Sequence, residues 1–310
     1  MVKVKNSLAV EILENPLLIL ESENILNVIK KHWITNHANL TQPEEFVAEF
    51  FAWLKIVDTQ KGRAIFTAEI KKYYKKKLKK YWNANLPIEK PSDMFLELMQ
   101  SELAGVKTVL DFGCGKLAFL KNMAENNNHI TRLTGIDPKS QPDLLALDPR
   151  IEFARSLDAV SDASVDLAII KLVLHHLRDD QEAQNIFKEL RRVLRPNGKI
   201  IVFEESFSSV SCDAHELASY LAKFNLEMSP VTSDFLQLAE TEKIEFLFLN
   251  DWLMNLQNPY MPWTGLYKSM EDWITLIESG DFKKESAQFL GAIKHRKRKQ
   301  GMTVMLNFFK

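Results

Sequence analysis

From residue 106 onward, short runs rich in aliphatic and β-branched residues alternate with stretches of helical periodicity. The runs are VKTVLDF, RLTGID, IEFA, VDLAIIKLVL and GKIIVFEE, and QEAQNIFKELRRVL at 181–194 is a helical stretch between two of them. Parallel strands need a crossover of a dozen residues or more, and right-handed crossovers lay helices on both sheet faces. The alternation therefore predicts an α/β fold of the nucleotide-binding kind. After Ser206 it stops, giving way to helical stretches at 213–227 and 233–256 and the aromatic loop NPYMPWTGLY. It resumes with a helix at 270–279 and strands at 285–293 and 302–309. The basic turn KHRKRKQG between those strands marks an antiparallel hairpin closing the sheet.

Residues 1–104 lack strand signals and read as a helical region on the substrate side. In PEEFVAEFFAWLKIV at 43–57, Thr41 and Pro43 mark a helix start, and Phe46, Phe50, Trp53, Leu54 and Val57 form its apolar stripe. The second region expected is 105–310, with a helical insertion at 207–269 acting as a lid. At 310 residues the chain can hold such a pair of regions, and 46% hydrophobic with 26% charged residues excludes a disordered or fibrous chain. Forty Lys and Arg against 41 Asp and Glu give a net charge of −1, so no global field recruits nucleic acid. Local basic runs, EIKKYYKKKLKKYW around 71–80 and KHRKRK at 294–299, leave an RNA substrate as an alternative. Two cysteines, Cys114 and Cys212, suit a reducing, cytoplasmic compartment rather than a disulfide scaffold. Glu11 and Glu14 interrupt the N-terminal apolar stretch, so secretion is not expected, and no window reaches the length of a membrane span.

The strongest chemical signal is VKTVLDFGCGKLAFL at 106–120. A strand ends in Asp111, a Gly113-Cys114-Gly115 turn follows, and a helix begins near Lys116. Glycines let a backbone turn sharply against a ligand, and the helix start offers N–H groups to an anionic ligand group. Gly113-x-Gly115-x-x-Ala118 with Asp137 downstream also fits the dinucleotide fingerprint, so a nicotinamide-dependent oxidoreductase competes. Asp111 decides against it, because a carboxylate there would repel a pyrophosphate, whereas it complements the ammonium of a zwitterion such as S-adenosylmethionine.

These residues resemble the class I S-adenosylmethionine-dependent methyltransferases, and among them the group acting on small molecules. The resemblance covers 106–206 and, less closely, 260–310. It implies a Rossmann-like, mostly parallel seven-stranded sheet, S-adenosylmethionine as cofactor and S-adenosylhomocysteine as product. Asp111, Gly113, Cys114 and Gly115 are similar to the motif that cradles the methionine end. Asp137, followed by Pro138, is similar to the acidic residue that grips the ribose. Ser156 and Leu157 fall where that family meets adenine, and Lys171 and Leu172 where its fourth strand meets the cofactor. Leu117 departs from the family, which usually has a third glycine there, and a Leu is expected to crowd the methionine pocket or shift the helix. A fold that has lost its cofactor and only binds a partner is therefore a further alternative.

His175 and His176 follow the fourth strand at the ligand-binding edge, where a neutral imidazole can deprotonate an acceptor. No spaced Cys or acidic partner accompanies them, so no metal is expected. An activated sulfonium methyl needs alignment and water exclusion more than a nucleophilic side chain, in keeping with a sequence that shows no triad. Tyr260, Trp263 and Tyr267 are the candidates for holding an apolar or planar acceptor.

Overall fold

The computed structural model describes residues 92–140, 142–144, 147–210, 212–244, 246–247, 266–295 and 298–310. The expected helices before residue 92, the lysine run 71–80, Tyr260 and Trp263 lie outside the described residues. Helix α1 (Ser92–Leu98) and a 3-10 turn (Gln100–Leu103) lead into the sheet. Five strands follow: β1 (Thr108–Phe112), β2 (Arg132–Ile136), β3 (Ile151–Ala154), β4 (Val165–Lys171) and β5 (Leu194–Glu205). Helix α2 (Ala118–Asn126) links β1 to β2, and α3 (Asp180–Val193) links β4 to β5. The remainder comprises α4 (Ala214–Ala222), β6 (Glu227–Met228), α5 (Val231–Leu236), α6 (Met270–Glu278), β7 (Lys283–His295) and β8 (Arg298–Phe309).

The sheet order is β3-β2-β1-β4-β5-β8-β7-β6. Strands β1 to β5 are parallel, and β8, β7 and β6 are each antiparallel to the strand before them in that order. The expected fold class stands, with the mostly parallel sheet and the C-terminal hairpin in place. The strand count differs from the expected seven because the two-residue β6 pairs with the end of β7 through Glu227 and Met228. So short a strand has no period-2 pattern to read.

Buried on both faces, the central strands read as continuous apolar runs: Val109 and Leu110, Leu167 to Ile170, and Ile200 to Phe203 are all closed to solvent. Helix α3 shows how sequence spacing becomes packing. Asp179 caps it by accepting from the Glu182 amide at 2.8 Å, and Ala183, Phe187, Leu190 and Val193 form its buried stripe. At the start of β4, the Asp166 carboxylate accepts from the amides of Lys107 (2.9 Å) and Thr108 (2.8 Å), tying β4 to β1 at their shared N-terminal end. The carboxyl ends of β1 to β4 consequently meet at the opposite edge, and the strand order reverses between β1 and β4. Open α/β sheets bind ligands at such a switch point.

The first half of the insertion packs on the C-terminal hairpin. Leu217, Leu221, Val231 and Phe235 are buried, Phe235 stacks on Phe289 of β7, and the Thr232 hydroxyl accepts from the Ala292 amide at 3.0 Å. Residues 214–236 thus cover the C-terminal hairpin, whose apolar face needs a partner as much as the central strands do.

Leu117 is accommodated rather than disruptive. It takes a left-handed backbone (φ 66°, ψ 13°) as the residue before α2, which costs a non-glycine residue about 1–2 kcal/mol. Its side chain is fully buried and turns to β2, where a Cβ added to Gly135 would meet its Cδ2 at 2.4 Å and the Cys114 Sγ at 2.8 Å. The glycine missing at 117 is therefore offset by one at 135. Gly135→Ala should cost about 1–3 kcal/mol through overpacking, and the loss should shrink in a Leu117→Gly background. A double-mutant cycle by urea denaturation checks this; strictly additive losses would show that the two positions do not share the space.

Candidate active site

The glycine loop hangs from the end of β2. The amides of Gly113 (2.7 Å) and Cys114 (3.1 Å) both donate to the Ile136 carbonyl, and the Gly115 amide donates to Asp137 Oδ2 at 3.0 Å. Gly113 has φ +77°, and a Cβ there would lie 2.2 Å from Val173 Cγ2, so the loop also lies against the segment after β4. Gly115 has φ +54° with no atom within 4 Å of where a Cβ would stand. This open side of the loop is where a ligand can approach the backbone.

Asp137 has more partners than its ribose assignment foresees. Its Oδ1 accepts from the amides of Lys139 (2.9 Å) and Ser140 (2.7 Å), and the Ser140 hydroxyl donates to the Gly115 carbonyl at 2.6 Å. The carboxylate thus shapes both the turn through Pro138 and the glycine loop. With two oxygens and about four acceptor positions, it retains room for a hydroxyl donor. Ser156 caps a 3-10 turn (Leu157–Ala159) after β3, accepting from the Asp158 amide at 3.2 Å, and Leu157 is buried beneath it. Both therefore stand at the same sheet edge as Asp111 and Asp137.

Asp111 is 1% exposed, and neither carboxylate oxygen has a hydrogen-bond partner among the described residues. Burial pushes its carboxyl up to about 7, against the opposing pull of Lys171 and with a smaller upward push from Asp137. A buried carboxylate without donors is costly, and the cationic end of a ligand would relieve that cost. Burial, Asp111 and Asp137 also hold the Cys114 thiol well above its ordinary range, so it stays protonated and serves as the small buried residue of the turn.

Lys171 closes β4 on the same face as Asp111, since Asp111 pairs with Ile169 two residues earlier. Its Nζ lies 5.7 Å from the ring centre of Phe95 on α1 and 5.5 Å from that of Phe119 on α2. Leu172 follows with φ +56°, turning the chain toward the glycine loop.

His175 and His176 lie in a 3-10 turn (Leu174–His176), their ring centres 3.9 Å apart. His175 is 2% exposed, and its Nδ1 is bonded to Oε1 of the fully buried Glu204. Glu204 also accepts from the amides of Val173 (3.2 Å), Leu174 (2.7 Å) and Glu205 (2.7 Å), so one carboxylate shapes the whole turn. Sequence reasoning missed Glu204. The signal available was an apolar strand, KIIVFEE, ending in two carboxylates at the edge where the histidines emerge. Tyr267 is buried with its ring stacked on His175, centroids 5.4 Å apart, and the Leu266 amide donates to the His175 carbonyl at 2.8 Å. Of the three aromatic candidates for the acceptor, it is the one among the described residues, and it reaches the site by way of the histidine.

Among the described residues no helix is long and apolar enough to cross a membrane, and no three His, Cys, Asp or Glu side chains group as a metal site.

Residues 110–202 match the family model described as a methyltransferase domain. An uncharacterised 37.1 kDa protein of transposon TN4556 from Streptomyces fradiae is 29% identical over 120 residues, a match covering 36% of this chain and about a third, 34%, of that protein. Among solved structures, the chain is similar to an S-adenosylmethionine-dependent methyltransferase from Methanosarcina mazei (16% identity, TM-score 0.43, 69% of this chain and 96% of that one). It is similar also to one from Mesorhizobium loti (15% identity, TM-score 0.44, 71% of this chain and 100% of that one). Most of β1, all of β2 to β4, the glycine loop and most of β5 lie inside the segment that matches the methyltransferase-domain model. The orphaned, buried Asp111 and the open side of Gly115 would suit a ligand with an ammonium group, such as S-adenosylmethionine.

The carboxyl of Asp111 also leaves a mark on stability. With its folded value raised from 3.8 to about 7, the unfolded chain gives up this proton first, so stability falls as pH rises through that window and then levels off. Asp111→Asn should therefore stabilise the ligand-free protein, by an amount on the order of a few kcal/mol at about pH 8 and much less at about pH 4.5. Thermal midpoints of both proteins at the two pH values measure it; an equal gain at both would contradict a raised carboxyl.

Proposed function

We propose that the whole chain transfers the methyl group of S-adenosylmethionine to a small, apolar or planar acceptor. The observation that carries the cofactor half is Asp111, closed to solvent, without a hydrogen-bond donor and next to an open glycine loop. Asp137 would hold the ribose and Ser156 with Leu157 the adenine, leaving the methyl-bearing end over Gly113 and Gly115 beside the segment after β4. The bound sulfonium supplies an already activated electrophile. What remains for the protein is to bind, orient and dry the acceptor, and orientation alone is worth about 7–11 kcal/mol in favourable cases.

The acceptor half rests on charge and on the histidine turn. A net charge of −1 offers no general attraction to a polyanion, and Lys294, in one of the two basic runs, pairs with Glu227 at 3.1 Å. Glu204 accepting from Nδ1–H of His175 selects the tautomer whose basic lone pair sits on Nε2. That is the arrangement of a base for an oxygen or nitrogen acceptor, with the His176 ring tilted against it and Tyr267 stacked on its face. Tyr260 and Trp263 remain acceptor candidates on the sequence alone, and the cytoplasm is the compartment proposed.

Calorimetric titration with S-adenosylmethionine should give a single site of micromolar affinity, weakened by Asp137→Ala by about 1.5–3 kcal/mol for each charge-assisted bond to the ribose that is lost. NADH should not compete. Tight NADH binding would hand the site to an oxidoreductase, and an unchanged affinity in Asp137→Ala would remove the ribose assignment. For the base, His175→Gln should lower kcat by about 10²-fold while cofactor affinity holds. Undiminished turnover would leave His175 a packing residue only. The turnover assay needs an acceptor, and mass spectrometry of material co-purified with the protein is the direct way to find it.

A further inference from the structure

The turn after β2 is gripped from two sides. Asp137 takes its amides, with Oδ1 accepting from Lys139 (2.9 Å) and Ser140 (2.7 Å), and Arg155 takes its carbonyls, with Nη1 donating to Pro138 (3.2 Å) and Ser140 (2.5 Å). Register explains how the two residues meet. Ile136 and Ala154, the last residues of β2 and β3, are paired, and the Asp137 amide donates to the Ala154 carbonyl at 3.2 Å, so Arg155 leaves β3 at the level of Asp137. Its guanidinium carbon lies 5.4 Å from the ring centre of Phe153, two residues earlier and hence on the same side of the strand, within the ~6 Å over which an aromatic face attracts a cation. A planar guanidinium held against a ring keeps its donors aimed, so less freedom is lost for each bond it makes. Because β3 is the last strand of the sheet on this side, the turn rests on the glycine loop, through the Ser140 hydroxyl and the Gly115 carbonyl, and on Arg155.

We propose that Arg155 is a positioning residue for the ribose contact: it holds residues 138–140 so that Asp137 presents its remaining acceptor positions to the two hydroxyls of the ligand's ribose. The proposal rests on the cofactor reading above and adds a residue that acts on the ligand through Asp137. Three amides already occupy that carboxylate, Gly115 on Oδ2 and Lys139 and Ser140 on Oδ1, and their directions fix which acceptor positions stay open. Two of the three belong to the turn whose carbonyls Arg155 holds. If those carbonyls were released, the turn could shift, the Lys139 and Ser140 amides would pull Oδ1 with them, and a vicinal diol, which needs two acceptors at a fixed spacing, would lose its alignment. The same shift would loosen the Ser140 hydroxyl from the glycine loop.

Calorimetry with S-adenosylhomocysteine and its 2′,3′-dideoxyribose counterpart, which lacks the two hydroxyls, reads the effect. The wild-type protein should prefer the hydroxylated ligand by about tenfold or more, as expected for at least one charge-assisted bond. Arg155→Met should weaken S-adenosylhomocysteine by about three- to tenfold and leave the dideoxy compound within about twofold of wild type. Retained binding of the dideoxy compound also shows that the variant is folded, and Arg155→Gln, equally neutral, gives the same reading if the Met variant is not. A residue that merely stabilised the edge of the sheet would lower the thermal midpoint without changing the preference for the hydroxyls. In an Asp137→Ala background, Arg155→Met should cost less than about twofold more, because the carboxylate it positions is gone. An undiminished preference in the neutral variants, an equal loss for both ligands, or additive losses in the Asp137→Ala background overturns the proposal. A wild-type protein that binds neither ligand fails the cofactor reading itself, and one that binds both equally fails the ribose assignment; a wild-type preference that does not respond to Arg155 fails this proposal alone.

Discussion

The site depends on one carbonyl and one carboxylate at the end of β2. Ile136 receives two amides of the glycine loop, and Asp137 receives a third while fixing its own turn through Lys139 and Ser140. Without these bonds the Gly113-Cys114-Gly115 backbone would have buried donors with nowhere to go, and its left-handed residues would have no reason to hold their shape. Everything placed around the loop follows: Val173 can lie against Gly113 because no Cβ intervenes, and α2 can start where it does because Gly135 leaves space for Leu117. The carboxylate assigned to a ligand is therefore also part of the scaffold.

Around that loop the domain accumulates buried charge. Asp111, Lys171, Glu204 and His175 all sit at the carboxyl edge of the sheet, with Asp111 and Glu204 closed to solvent. The two carboxylates are treated differently. Glu204 receives three amides and an imidazole, so its burial is compensated and it organises the turn after β4. Asp111 receives none, and burial raises its carboxyl accordingly. A satisfied buried acid is a structural post, whereas the unsatisfied one at the switch point is the residue on which the proposed cofactor site rests.

Much of this was legible in the sequence because it is local. Alternating apolar runs and helical stretches announce parallel strands with crossovers, and the observed β1 to β5 fall on the runs that predicted them, with shifts of a few residues at their ends. Helix α3 and helix α6 fall on the helical stretches read at 181–194 and 270–279. The glycine loop, Asp111 and Asp137 were readable because a turn against a ligand demands particular residues at particular spacings. Less legible was residue 117, where a leucine in place of an expected glycine looks like a conflict until its packing against β2 is known.

By itself the sequence determined the order of elements, the sheet type, the place of the loop and the acid at each strand end, since periodicity and turn chemistry act over a few residues. Tertiary structure alone decided which distant groups meet. Glu204 finds His175 across 29 positions, Leu117 finds the one residue in β2 with no Cβ, and Asp111 comes beside Lys171 because β1 and β4 are neighbours in space while β2 and β3 lie between them in the chain. Strand pairing sets those meetings, and pairing is a long-range choice made by burying whole apolar faces, which no short stretch of residues encodes on its own.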